Sequence, residues 1–370
     1  MATRFQAPKR AVRRLLASPL AESLASPHSV DSYLELVNPL WSVAEARARV
    51  VAVGHPTPDS VTLTLKPNGN WRGHRPGQYV RVGVEIDGVR RTRCFSPASS
   101  ARRPDDLIEL TAKVNPSGEV TRYLKAEARP GMVVTLSQAQ GEFILPTERP
   151  ARLLLISGGS GITPVMSMLR TLCDEGYAGE LTFLHYAFTP DHVIYADELA
   201  QLAAWHPNVT LLRAYTESDG GELQGLFSRD HLFEAVPDYA DAETYLCGPP
   251  PLMRAVENLW TEDGLADRLH TEQFVTAPPA PAAGAAATGT VSFTRSDTNA
   301  SNDGRSLLEQ AEAAGLTPEY GCRMGICFSC TSPKKAGTVR NLLTGNVNDE
   351  PDTYIQLCVN VPCGDVTLDI

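Results

Sequence analysis

Two stretches, RARVVAVGHPTPDSVTLTLKP (47–67) and GQYVRVGVEIDGVRRTRCFS (77–96), alternate apolar and polar positions with a period of two and are broken by proline, Asp-Gly and Asn-Gly turns. Strands rich in β-branched residues and patterned this way predict an antiparallel barrel. From residue 151 the pattern changes to RLLLISGGSGITPVMSMLRTL, LTFLHYAF and AETYLCGPPPLMRAVENLW. Apolar strands followed by turns and helical segments predict a parallel α/β sheet. TAPPAPAAGAAATGT, Thr276 to Thr290, holds nothing that packs and reads as a tether. Beyond it TVSFTRS predicts a strand and GRSLLEQAEAAGL a short helix ending at Gly315. The expected order is an N-terminal arm over 1–46, a β-barrel over 47–148, an α/β domain over 149–275, a linker over 276–287 and a small α+β domain over 288–370.

A chain of 370 residues with 42% hydrophobic content has room for two or three domains with real cores. It contains no run of 18 or more apolar residues and no apolar segment leading to a cleavage site, so neither a membrane span nor a secretory signal is expected. Eight cysteines, four of them spaced as ligands, fit reduced cytoplasmic chemistry better than a disulfide framework. Cys94, Cys173 and Cys363 are expected to be small buried residues. A formal net charge of −10 argues against nucleic acid as a partner. The arm runs against that charge, with Arg4, Lys9, Arg10, Arg13 and Arg14 and no acid in its first 14 residues. KRAVRRLLASPL could form a short amphipathic helix touching a membrane surface or a partner, or simply a surface arm.

The candidate chemistry is concentrated in a few motifs. CRMGICFSC carries Cys322, Cys327 and Cys330, and Cys358 follows after 27 residues. This C-x4-C-x2-C…C spacing is that of a plant-type 2Fe–2S site. Gly321, Gly325 and Ser329 would let the backbone close around the cluster. A zinc site would more often present two short cysteine pairs. RCFSPASS places Arg93, Phe95 and Ser96 along a strand, suited to a flat ligand. NPSGEVTRYL offers Gly118 and Thr121 at a helix start, which suits phosphate or is an ordinary cap. LISGGSGITPVMS is a strand-to-helix turn with Gly158, Gly159 and Gly161, with Thr163 as expected cap and Pro164 in the first helical position. CGPP, Cys247 to Pro250, ends a later strand, where open α/β sheets bind ligands or simply turn.

In their order and spacing these motifs resemble the ferredoxin–NADP reductase superfamily over 47–275 and plant-type ferredoxins over 288–370. The whole is similar to single-chain oxygenase and desaturase reductases, and YLELVNPLWS is similar to electron-transfer partners of actinobacterial membrane acyl-CoA desaturases. The resemblance implies an FAD-binding barrel, an NAD(P)H-binding α/β domain and a 2Fe–2S domain. QAQGEF resembles the FAD branch of the family, not the FMN branch. It assigns Arg93, Phe95 and Ser96 to the flavin ring, with phenylalanine where the family often has tyrosine, and Gly118 and Thr121 to the flavin phosphates. Gly158, Gly159, Gly161 and Thr163 would hold the dinucleotide. Cys247, with Gly248 and Pro249, would lie beside the nicotinamide, with Glu272 and Phe274 toward the flavin. Ser96, Cys247 and Glu272 are the implied catalytic residues.

The implied activity takes a hydride from NADH or NADPH and passes single electrons through FAD and the cluster to a terminal oxygenase, hydroxylase or membrane desaturase. Phe188 and Asp191 follow the second strand of the α/β domain without an arginine, and Asp191 could accept from a free ribose hydroxyl, which leans toward NADH. The desaturase partners suggest NADPH instead. Two rivals, a cluster-based redox sensor without turnover and a zinc-stapled scaffold, leave the flavin and dinucleotide motifs unexplained.

Overall fold

The computed structural model describes residues 16, 18–26, 28–116, 118–274, 288–321, 323, 325 and 328–370. Most of the KRAVRRLLASPL segment, the linker over 276–287 and two of the four spaced cysteines, Cys322 and Cys327, lie outside the described residues. The chain divides into two compact units, Met1–Arg90 with Phe95–Gln273, which holds most of the two N-terminal sheets, and Arg91–Cys94 with Phe274–Ile370, which holds the third.

Two short helices lead in, α1 (Pro19–Ala25) and α2 (Val30–Val37), capped by the Ser18 and Ser29 side chains. Asp31 ties α2 to the segment that follows, accepting from Ser42 Oγ at 2.6 Å and from Val43 N at 2.6 Å. Arg47, buried at the start of the barrel, pairs with Glu35 of α2 and with Glu45.

The first sheet contains β1 (Ala46–Gly54), β2 (Ser60–Pro67), β3 (Val80–Ile86), β4 (Val89–Phe95), β5 (Ile108–Lys113) and β6 (Val133–Leu136), in the order β4-β3-β6-β1-β2-β5. The alternation seen in the sequence puts Val50, Leu63, Leu65, Val82 and Leu110 inside. Asp87 and Gly88 join β3 to β4 with both φ angles positive (50° and 76°), as a two-residue hairpin turn requires. The sheet closes just past β4, where Pro97 bridges Leu110 and Ala98 N donates to Glu109 O at 2.8 Å. The barrel therefore shuts immediately beside Ser96. Helix α3 (Glu119–Glu127) buries Val120 and Leu124 against it.

The second sheet contains β7 (Arg152–Gly158), β8 (Glu180–Ala187), β9 (Val209–Tyr215), β10 (Leu223–Gln224), β11 (Glu243–Cys247) and β12 (Leu269–Glu272). All are parallel, in the order β10-β9-β8-β7-β11-β12. The chain builds outward from β7 to β10, then returns to lay β11 on the other side of β7. That reversal is the place where open parallel sheets bind ligands at the carboxyl ends of their strands. Helices α4 (Ile162–Asp174), α5 (Ala196–Trp205), α6 (Arg229–Ala235) and α7 (Pro250–Glu262) connect the strands, and Leu154, Ile156 and Leu246 share a core with Val256 and Trp260 of α7.

The second unit holds β13 (Thr290–Phe293), β14 (Thr298–Ser301), β15 (Thr331–Asn341), β16 (Val347–Asn348), β17 (Thr353–Gln356) and β18 (Asn360–Leu368) around helix α8 (Leu307–Ala313). The path β14-β13-β18-β15-β16 has one parallel pair, β13 with β18, and β17 joins β15. Ser306 and Glu309 form a reciprocal capping box at the start of α8, and Gly315 follows its end at φ 83°.

Three expectations are corrected. A 3-10 turn over Gly159–Gly161 starts helix α4 at Ile162, so Thr163 and Pro164 lie inside the first turn, not at its cap and first position. Cys363 is exposed, because β18 breaks its pairing with β15 at the shift between Gly337 and Val339 and its alternation turns the residue outward. Cys94 and Cys173 are only half-buried. Among the described residues no helix is long and apolar enough to cross a membrane.

Candidate functional site

The two glycine-bearing turns meet at the reversal point of the second sheet. Cys247, the last residue of β11, is the register partner of Ser157 on β7. A Cβ on Gly161 would lie 2.2 Å from Cys247 O and 2.7 Å from Gly248 N. A Cβ on Gly158 would lie 2.7 Å from Pro249 Cδ, and one on Gly248 would lie 2.9 Å from Leu252 Cδ2. Gly158 and Gly161 are thus required by the contact of one turn with the other, and Gly248 is pressed by the helix that follows its own turn and, at 3.1 Å, by Gly158 N. Gly159 differs. It sits at φ 51° with open space where a Cβ would be, so its backbone is the one presented outward.

Across the carboxyl edge the register runs Glu272, Cys247, Ser157, His185, and these neighbours share one face of the sheet. Cys247, Ser157 and His185 are buried, and Glu272 is half-buried with its Oε2 enclosed. Burial raises the Cys247 thiol well above its ordinary range, and Glu272 adds to this, so the thiol stays protonated. Burial pushes Glu272 up to about 8, and the Ser96 hydroxyl tempers the rise. The two groups lie within reach of each other, but the contact falls short of a well-formed hydrogen bond. Ser96 Oγ and Glu272 Oε2 are both buried without a partner among the described residues. Buried polar atoms are nearly always satisfied, so two such atoms on neighbouring side chains mark a place for a polar ligand edge. This fits the ring of a flavin.

The remaining barrel residues lie close by in the chain. Phe95 packs partly against the barrel core, and Arg93 is half-buried on β4. Gly118 is the N-cap residue of α3, and Thr121 Oγ1 accepts from Asn115 N at 3.1 Å, which folds the turn back on the helix start. Phe274 is half-buried two residues past β12. Asp191 is exposed in the short turn Pro190–His192 after β8.

His185 and Ser157 were not singled out from the sequence. Ser157 Oγ and His185 Nδ1 are 2.8 Å apart, burial lowers the imidazole to about 3, and His185 Nε2 has no partner among the described residues. The signal was present as a lone histidine inside the largely apolar run LTFLHYAF.

In the second unit, Cys330 and Cys358 are buried side by side, with Cys358 N donating to Cys330 Sγ at 3.4 Å. N–H donors aimed at sulfur stabilise a thiolate ligand. Among the described residues of the loop before Cys330, Arg323, Gly325 and Phe328 are in left-handed conformation. A Cβ on Gly325 would press on Leu343 and Val359, and Gln356 Nε2 donates to Gly325 O at 2.6 Å. Left-handed backbone at these described positions beside two buried thiols fits an iron–sulfur cluster.

Three family models match the chain: the oxidoreductase FAD-binding domain over 55–144, the oxidoreductase NAD-binding domain over 155–258 and the 2Fe-2S iron-sulfur cluster binding domain over 293–363. An NADPH oxidoreductase of Mycobacterium tuberculosis is 39% identical over 355 residues, covering 95% of this chain and 91% of the relative. A glycine betaine monooxygenase reductase subunit of Pseudomonas aeruginosa is 31% identical, covering 80% of this chain and 87% of its own. The solved phthalate dioxygenase reductase matches the fold with a TM-score of 0.59 at 24% identity, over 88% of this chain and 97% of that one.

Proposed function

The chain belongs to the ferredoxin–NADP reductase superfamily, among the reductases that join FAD, nicotinamide and 2Fe–2S domains in one polypeptide, and from that membership we propose how its residues divide the work. It is an NAD(P)H-dependent oxidoreductase that passes electrons through FAD and a 2Fe–2S cluster to a terminal acceptor of the oxygenase type. When bound, the flavin supplies the conversion of a two-electron hydride into single electrons that a cluster can accept.

The observation that carries the site assignment is the pair of orphaned atoms, Ser96 Oγ and Glu272 Oε2, beside Cys247 at the sheet's reversal point. Ser96 offers a hydroxyl to the reactive edge of the ring, and Glu272 holds a proton at its carboxyl below about pH 8. Cys247 presents an uncharged thiol to the nicotinamide. The outward backbone of Gly159 takes the pyrophosphate, with Gly158, Gly161, Gly248 and Pro249 setting the turn that carries it and Thr163 following. Arg93, Phe95 and Phe274 flank the ring, and Gly118 and Thr121 face the flavin phosphates. Cys322, Cys327, Cys330 and Cys358 ligate the cluster.

NADH is the preferred donor in this reading, although the Mycobacterium relative carries NADPH in its name. Asp191, Glu217 and Asp219 are exposed on the loops after β8 and β9, and Arg213 is already committed to Glu222 through Nη2 to Oε1 at 2.6 Å. A 2′-phosphate would meet acids there, whereas a free hydroxyl finds acceptors. The acceptor is a terminal oxygenase, hydroxylase or membrane desaturase. Leu24 and Leu36, 88% and 85% exposed on α1 and α2, support contact of the N-terminal region with a membrane surface.

Turnover tests the whole. Purified protein should reduce ferricyanide and cytochrome c continuously with NADH, and Ser96→Ala should slow flavin reduction while retaining flavin. A protein that reduces its cluster once and stops would be a sensor.

A further inference from the structure

Helix α4 begins at the glycine turn, and one row of its side chains grips the segment leaving Ser96. Ser167, Arg170 and Thr171 lie three and four residues apart and so share a face. Ser167 Oγ donates to Ser99 O at 2.8 Å, Arg170 Nη1 donates to Ala98 O at 2.8 Å, and Ala101 N donates to Thr171 Oγ1 at 3.0 Å. These anchors fall two to five residues beyond Ser96. One rigid element thus starts at the turn assigned to the dinucleotide and is bolted to the strand exit assigned to the flavin.

Arg170 is the centre of the bolt. Its Nη1 also reaches Glu109 Oε1 on β5 at 2.7 Å, and its Nε and Nη2 grip Glu198 of α5 at 2.7 and 2.5 Å. The guanidinium lies over the Tyr195 ring, 4.7 Å from its centroid. Tyr195 holds a left-handed φ of 65°, a strained conformation for a residue with a side chain, and its hydroxyl shares a hydrogen bond with Thr111. Burial would lower the Arg170 pKa, but Glu198 and Glu109 outweigh it and raise the value. A planar fork with five donors is needed to serve two carboxylates and a carbonyl while stacking on a ring, which lysine cannot do.

We propose that Arg170 is a positioning residue for the hydride step, fixing through helix α4 the separation between the dinucleotide turn and the Ser96 segment. The proposal rests on the site assignment given above. The test is Arg170→Lys in the full protein, read by flavin reduction at saturating NADH, by the long-wavelength flavin–nicotinamide absorbance band, and by thermal melting. The expected result is a rate at least about tenfold lower, since misplacement by about 1 Å costs on the order of a hundredfold. The band should weaken, with flavin content and dithionite reduction unchanged. Ser167→Ala, which removes a second anchor without stranding a charge, should weaken the band in the same direction and decides the matter if Arg170→Lys does not fold. Wild-type rate and band in a folded variant, with only the melting temperature lowered, would make Arg170 a structural bolt and overturn the proposal. A wild-type protein that binds flavin but shows no band with NADH would overturn the site assignment, and the proposal with it.

Discussion

Gly161→Ala isolates the contact between the two turns. Gly161 has an ordinary right-handed φ of −63°, so alanine imposes no backbone penalty of its own. Its new Cβ would meet Cys247 O at 2.2 Å and Cys247 C at 2.5 Å, both backbone atoms at the end of a buried strand. Ordinary contact requires about 3.4 Å or more between such atoms, so the turns must separate by about 1 Å. Overpacking of this kind costs about 1–3 kcal/mol in stability. A shift of about 1 Å between the parts that hold donor and acceptor costs on the order of a hundredfold in rate. Stopped-flow reduction of the flavin by NADH should therefore fall by one to two orders of magnitude, while dithionite reduces flavin and cluster as in the wild type. Gly159→Ala is the control. It has open space but a φ of 51°, so it should cost about 1–2 kcal/mol locally and raise the NADH KM more than it slows transfer at saturation. Wild-type transfer in Gly161→Ala would show that the spacing of the two turns does not set the rate.

Glu272→Gln removes a carboxyl whose folded pKa is raised to about 8 from an ordinary 4.5. A raised carboxyl favours the folded state at low pH and loses that contribution as pH climbs through the folded pKa. The stability of the glutamine variant relative to wild type should thus rise between about pH 5 and 8 in denaturant melts and then level, and a pH-independent difference would refute the shift. Cys327→Ser should abolish cluster absorbance and cytochrome c reduction while keeping flavin and ferricyanide reduction, and loss of flavin as well would mean the sheets depend on the cluster domain. The acidic rim predicts kcat/KM for NADH at least tenfold above NADPH, about 1.4 kcal/mol. A tenfold preference for NADPH would require Arg213 to leave Glu222.

Local pattern carried the architecture because each sheet type writes its own period into the chain. Alternation marked β1 to β4, apolar runs ending in glycine marked β7 and β11, and the cysteine spacing marked the cluster loop. Pairings between distant residues were not written there. Gly158 and Gly161 read as phosphate-binding glycines, yet their Cβ positions are filled by the Cys247 turn, which becomes a neighbour only when β11 pairs with β7. Arg170 in SMLRTL looks like a polar residue on a surface helix, and its partners Glu109 and Glu198 lie 61 and 28 residues away. Thr163 missed the cap by two positions because a 3-10 turn begins the helix early. The orphaned pair Ser96 and Glu272 was suggested by family likeness and not by spacing, since the barrel and the parallel sheet supply one residue each.

The central claim is that electrons enter at the flavin from the nicotinamide and leave through the cluster of the same chain. Anaerobic mixing of the purified protein with one equivalent of NADH, followed by absorbance and freeze-quenched EPR, tests it directly. Bleaching of the flavin should come first, and the signal of a reduced 2Fe–2S cluster should then grow to a large fraction of the chains within the turnover time. A cluster signal that dithionite elicits but NADH does not, with flavin bleached by NADH, would contradict the account.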